Sequence, residues 1–134
     1  MAIQIKKATR EQLKLRMAID GPTGSGKTYT ALRFAFALAS DPSKVGVIDT
    51  ENRSASKYVG EAPDGFPWQF DVVELADCHP QHYIEAIAAF EQAGYEVLVI
   101  DSLSHAWEGE TGILALHDKA TKKSGSGNSW TAWR

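Results

Sequence analysis

Gly21-Pro22-Thr23-Gly24-Ser25-Gly26-Lys27-Thr28 fills the pattern G-x-x-x-x-G-K-[ST], a glycine-rich run suited to cradling phosphate. At average residue usage its four fixed positions match by accident in on the order of half a percent of chains this size, so context decides. Upstream, Leu13, Leu15, Met17 and Ile19 alternate with Lys14, Arg16, Ala18 and Asp20, which predicts a strand running into the loop. Downstream, Tyr29 to Ala39 holds neither glycine nor proline, which predicts a helix leading out. Strand, glycine loop and helix in that order suit a phosphate seat; the plain alternative is an ordinary glycine turn.

Each residue type in the run has a separate physical task. Gly21, Gly24 and Gly26 are expected to allow positive φ and to leave room for backbone N–H groups to turn inward around a phosphate. Pro22, Thr23 and Ser25 fill the remaining loop positions. The helix that follows adds unpaired N–H donors at its positive end. Lys27 supplies a point charge for the β- and γ-phosphates, and the Thr28 hydroxyl is a hard oxygen ligand for Mg²⁺. The cofactors this pattern calls for are ATP and Mg²⁺.

The rest of the chain alternates in the manner of a parallel α/β fold. Ser40-Asp41-Pro42-Ser43 stops the first helix. Val45-Gly46-Val47-Ile48-Asp49 and Val97-Leu98-Val99-Ile100-Asp101 are apolar runs expected of strands covered on both faces, and Trp68 to Leu75 is a third strand candidate. His79 to Ala93 carries apolar residues at helical spacing and closes on Gly94. Parallel sheets present ligand sites beyond the carboxyl ends of their strands. There this chain places the loop at Gly21, Asp49 through Glu51, and Asp101-Ser102. Asp101 is the candidate second magnesium acid, acting through water, with a turn cap as the plain alternative. Glu51 is the candidate for activating an attacking water, because Ser102 stands where a glutamate often follows the magnesium acid. A solvated loop glutamate is its alternative.

Composition narrows the setting. The chain has 134 residues, 43% of them hydrophobic and 23% charged, which fits one soluble domain with a single core. A formal charge of −3 offers no global attraction to nucleic acid. The lone Cys78 excludes an intrachain disulfide, no apolar run approaches a membrane span, and the N-terminus lacks a signal-peptide core, so a cytoplasmic setting is expected.

The stretches Gly21 to Thr28, Val47-Ile48-Asp49-Thr50-Glu51-Asn52 and Val97 to Ser102 resemble the three nucleotide motifs of the RecA-like recombinase ATPases. More narrowly, residues 13 to 116 are similar to phage-encoded nucleotide-binding proteins of the AAA type, compact RecA-like ATPases associated with single-strand annealing recombination. The resemblance implies that Glu51 is the catalytic glutamate, that the Asp101 strand lies beside the phosphate-loop strand, and that the host cytoplasm is the setting.

The chain also departs from that pattern. A further strand is expected after Asp101, yet Trp107 to Gly112 reads as a loop, Ile113 to Lys123 as a short helix, and Ser124 to Ser129 as a flexible tract. Trp130 and Trp133 look like the opening of a helix meant to be buried. The expectation is therefore a C-terminally incomplete RecA-like core with weak turnover. Its phosphate-loop strand would lie at a sheet edge, open to a homo-oligomer or to hairpin pairing by Ala2 to Lys7. Lys119, Lys122 and Lys123 beside two tryptophans suggest a single-stranded DNA contact, against the plain reading of a solvated helix end. Cys78, His79 and His82 lack a fourth ligand for zinc. Arg53 near the expected γ-phosphate reads as a surface residue. The rival functions are a small P-loop kinase, for which no arginine-rich lid is visible, and a nucleotide-binding module without catalysis.

Overall fold

The structure, a computed structural model, describes residues 14–63, 65, 67–123 and 129–133. Helix α1 (Lys27–Leu38) is followed by a 3₁₀ turn at Pro42–Lys44 and strand β1 (Val45–Asp49). A second 3₁₀ turn (Ala55–Tyr58) leads to β2 (Asp71–Glu74), α2 (Pro80–Gln92) and β3 (Val97–Asp101). Helices α3 (Ser104–Glu108) and α4 (Ile113–Lys123) and a 3₁₀ turn at Ser129–Trp133 complete the order.

The three strands form one parallel sheet in the order β2-β1-β3, with Asp49 opposite both Glu74 and Asp101. All five residues of β1 are buried, as its unbroken apolar run requires of a central strand. Alternate side chains serve opposite layers. Val47, Val72 and Val99 face α1, packing with Leu32, Ala55, Trp68 and a set of aromatics in which Phe36 stacks on Trp68 at 5.2 Å. Ile48, Val73, Leu98 and Ile100 face α2, packing with Tyr83, Ala86, Phe90 and Ala106. Gly46 is held by this second layer, since a Cβ there would meet the Phe90 ring at 2.5 Å. The result is a sheet sandwiched by helices, the α/β architecture expected.

Local signals account for the helix ends. Helix α2 starts on Pro80, with the His79 ring accepting from Gln81 N–H at 3.2 Å. It ends in a Schellman turn: Tyr95 N–H reaches Phe90 C=O at 3.1 Å around left-handed Gly94.

Three expectations fail. Residues 14–20 form no strand, and among the described residues β3 pairs with β1 alone. An alternating strand holds only when its backbone meets a sheet edge and its apolar row meets a packed layer. Among the described residues neither contact is made, and Leu15 and Met17 are 63% and 50% exposed. The expected neighbour relation between the phosphate-loop strand and β3 is therefore not formed. Second, Trp107 and Glu108 belong to α3 and not to a loop; Ser104 to Glu108 contains no breaker, and the glycine stop begins only at Gly109. Third, the terminal tryptophans are not buried: Trp130 is 83% and Trp133 50% exposed on a 3₁₀ turn. Helix Ile113–Lys123 forms as expected. The pairing of Ala2 to Lys7, the start of the upstream strand at Leu13, and the flexible tract from Ser124 to Asn128 lie outside the described residues.

Candidate functional site

The loop from Gly21 to Gly26 closes through a turn, Ser25 N–H to Pro22 C=O at 3.2 Å, and delivers the chain into α1. Gly26 caps that helix at φ 84 and Gly24 lies at φ 80, left-handed values that glycine adopts without strain. Gly21 does not take the positive φ expected of it, and a Cβ there would meet Ser25 Oγ at 2.9 Å, a contact that rotation of the serine side chain relieves. No side chain caps α1, so its first-turn N–H groups point into the loop region as donors suited to an anion. Lys27 Nζ folds back across the loop, donating to Gly21 C=O at 2.8 Å and Pro22 C=O at 3.0 Å. That contact keeps the ammonium at the loop's mouth.

Thr28, the second residue of α1, reaches the end of β3. Its hydroxyl donates to Asp101 Oδ2 at 2.7 Å across 73 residues of sequence. The parallel packing of α1 on the sheet thus brings together the two residues singled out as magnesium ligands. A hydroxyl and a carboxylate side by side are hard oxygen donors, and the pair fits Mg²⁺, which prefers few protein ligands and keeps several waters. Asp101 is nearly buried, and a second hydroxyl, Ser54 Oγ, donates to the same Oδ2 at 3.1 Å.

Ser54 belongs to the loop that carries Glu51, and that loop has its own scaffold. The buried carboxylate of Asp49 accepts from Glu51 N–H at 2.7 Å through Oδ1 and from Ala55 N–H at 3.3 Å through Oδ2. Accepting from the N–H two residues on is an Asx turn, a reading available for a strand-ending aspartate before a polar run. Between these anchors Asn52 and Arg53 lie at φ 52 and φ 66. The Glu51 carboxylate is exposed and has no hydrogen-bond partner among the described residues. Arg53 Nε pairs with Glu74 Oε1 at 2.8 Å, both side chains half or more exposed, which makes it a surface ion pair.

Asp49 and Thr50 lie in the strand end, Asp49 through Glu51, that the sequence places at the site, though no role is read there for either, and Ser54 carries no such signal. Their partners depend on contacts between segments that no local pattern encodes. Lys119, Lys122 and Lys123 are exposed on α4 and take no part in the loop site. His79 and His82 serve the start of α2, with His82 Nδ1 at 2.7 Å from Asp77 Oδ1. The Asp77 carboxyl is held below its usual range first by His79 N–H and then by His82.

Comparison with known proteins adds the family. A family model described as an AAA domain matches residues 13–134, nearly the whole chain. Searches of curated proteins and of solved structures found no match. The loop, the parallel sheet and this match agree: the chain belongs to the AAA-type P-loop ATPase family, a group of nucleotide-binding modules.

Proposed function

We propose that the chain binds ATP at Gly21 to Thr28 and hydrolyses it, with Glu51 activating water. The observation that carries this reading is the 2.7 Å contact between Thr28 and Asp101, which joins the phosphate loop to the end of β3. The loop amides and Lys27 hold the β- and γ-phosphates. Thr28 and Asp101, the latter through water, are the residues that would hold Mg²⁺, which supplies charge neutralisation at those phosphates. Glu51 sits two residues beyond Asp49, which pairs in register with Asp101, and so belongs to the same rim of the sheet. Its carboxylate orients a water and takes a proton from it as the water oxygen bonds to the γ-phosphorus. The bond to the bridging oxygen breaks, leaving ADP and phosphate. A kinase reading lacks support: the sequence shows no arginine cluster to form a lid, and Arg53 pairs with Glu74 on the surface.

Turnover assays and calorimetry on Glu51→Gln test this reading. ATP affinity is expected to stay within about twofold while turnover falls roughly 10²-fold or more. Lys27→Ala is expected to abolish the melting shift produced by Mg-ATP. Turnover untouched by Glu51→Gln sinks the role of Glu51, and a wild type that binds ATP without turning it over leaves a binding module.

A role in DNA recombination is the finer reading carried by the RecA-like resemblance. One observation favours it. On the face formed by α3, α4 and the final turn, Trp133 stacks on His117 at 4.1 Å and on Trp107 at 6.0 Å, while Lys119, Lys122 and Lys123 are exposed on α4. Aromatics and cations together suit single-stranded DNA, and since the lysines lie on the side of α4 turned away from His117, a bound strand would wrap the helix to meet both. Lys122→Ala with Lys123→Ala is expected to weaken oligonucleotide binding severalfold, with nucleotide affinity kept. Unchanged binding would remove DNA from the proposal.

A further inference from the structure

Thr50 lies between the loop-capping Asp49 and Glu51, and its hydroxyl meets polar groups from β3 and α3. Thr50 Oγ1 accepts from Ser102 N–H at 3.0 Å. It also lies 2.9 Å from His105 Nδ1, 3.1 Å from Ser102 C=O and 3.4 Å from Asp101 C=O. A threonine hydroxyl has one proton, so it can donate fully to one of these three. Both carbonyls already have a donor. Asp101 C=O takes Thr50 N–H at 2.8 Å, and Ser102 C=O takes the Tyr83 hydroxyl at 3.2 Å. Tyr83 keeps that proton, because burial pushes its pKa up, a rise opposed by the Thr50 hydroxyl and reinforced by Cys78. His105 Nδ1 is the nearest of the three, so Thr50 and His105 are joined by a hydrogen bond whichever of the two holds the shared proton.

From this chain of contacts we infer that Thr50 and His105 are positioning residues for Glu51. The inference rests on the hydrolytic reading above. His105 holds the Thr50 hydroxyl, and that hydroxyl holds Ser102 N–H, so the residue before Glu51 is bolted to the residue after Asp101. Neither side chain needs to touch nucleotide. Their effect is on where the Glu51 carboxylate stands relative to the magnesium pair, and misplacement by about 1 Å costs on the order of 10²-fold in rate.

Steady-state ATPase kinetics of the full chain test it. Thr50→Val keeps the shape and removes the hydroxyl; kcat should fall about tenfold or more, with KM and ATP affinity within about twofold. Thr50→Ser restores the hydroxyl and should recover most of the rate, a rescue that separates positioning from packing. His105→Ala should act like Thr50→Val, and the double variant should be no slower than the slower single one, since both cut one connection. His105→Asn, which keeps an acceptor at the same reach, should be milder than His105→Ala. Imidazole ¹⁵N shifts of His105 should change in Thr50→Val and return in Thr50→Ser. Multiplying effects in the double variant, a change in KM alone, or Thr50→Ser no better than Thr50→Val would overturn the inference. If the wild type turns ATP over and Thr50→Val leaves the rate unchanged, this inference alone falls. If the wild type binds ATP without turnover, the hydrolytic reading falls and takes this one with it.

Discussion

The two sides of the phosphate loop behave differently although both are written in clear patterns. After the loop, Lys27 to Leu38 forms α1, and Leu32 and Ala35 are buried against the sheet. Before it, residues 14–20 alternate apolar and polar as cleanly as any strand, yet they form no ladder and leave Leu15 and Met17 open to solvent. A helix pairs its own backbone and needs a partner only for one face. A strand needs a partner for its backbone as well. Pattern alone therefore decides the first and states only a capacity for the second.

Substitution in the two halves measures that difference, and the largest effect belongs to α1. Leu32 is fully buried between α1 and the β1 and β3 valines, so Leu32→Ala should cost about 2–5 kcal/mol. Leu15→Ala and Met17→Ala should each cost about 0.5 kcal/mol or less, because those side chains are mostly exposed. Denaturant titrations of the three variants compare them directly. A cost at Leu15 matching that at Leu32 would mean that the upstream segment packs in solution, and the contrast would vanish.

An intermediate effect is expected at β1, where the chain leaves a strand that does have partners on both sides. There Asp49 ties the outgoing loop by two backbone N–H groups. Asp49→Asn keeps one acceptor oxygen and turns the other into a donor facing an N–H. The loss of a hydrogen bond to a charged group, in a buried place, should lower stability by about 1–3 kcal/mol. It should also raise proteolysis within residues 50–54. Full stability in Asp49→Asn would show that the loop is held by Thr50 and Ser54 alone.

These contrasts also explain what the sequence could and could not reveal. The apolar runs ending in Asp49 and Asp101 announced buried parallel strands because a central strand must be apolar on both faces. The motif around Lys27 announced the loop because two of its glycines answer a local demand, left-handed backbone at Gly24 and Gly26. That Thr28 would meet Asp101 followed from chemistry, as both suit one hard cation. Ser54 on Asp101 and His105 on Thr50 were hidden, since each joins segments that only the folded sheet brings together. Trp107 reads as loop because Gly109 and Gly112 carry turn signals, whereas the helix that precedes them is only five residues long.

The smallest expected effect tests the far end of the same helix. Just beyond α1, Ser40 donates to the Glu96 carboxylate from its hydroxyl and its N–H, each at 2.7 Å, which ties the helix exit to the residue before β3. Those bonds, the hydroxyl's first, hold the Glu96 carboxyl below its ordinary value of 4.5. A depressed folded-state value means that the carboxylate stabilises the fold at and above its unfolded value, and that this contribution fades as pH falls through the lower folded-state value. The contact is fully exposed, so solvent screens it and the effect is slight. Glu96→Gln should therefore melt slightly below the wild type at neutral pH, and the gap should close as pH drops below about 4.5. Melting curves from neutral pH to pH 3 check this. A gap that stays constant across the range would mean that Glu96 acts through the shape of its side chain, with its charge playing no part in anchoring α1.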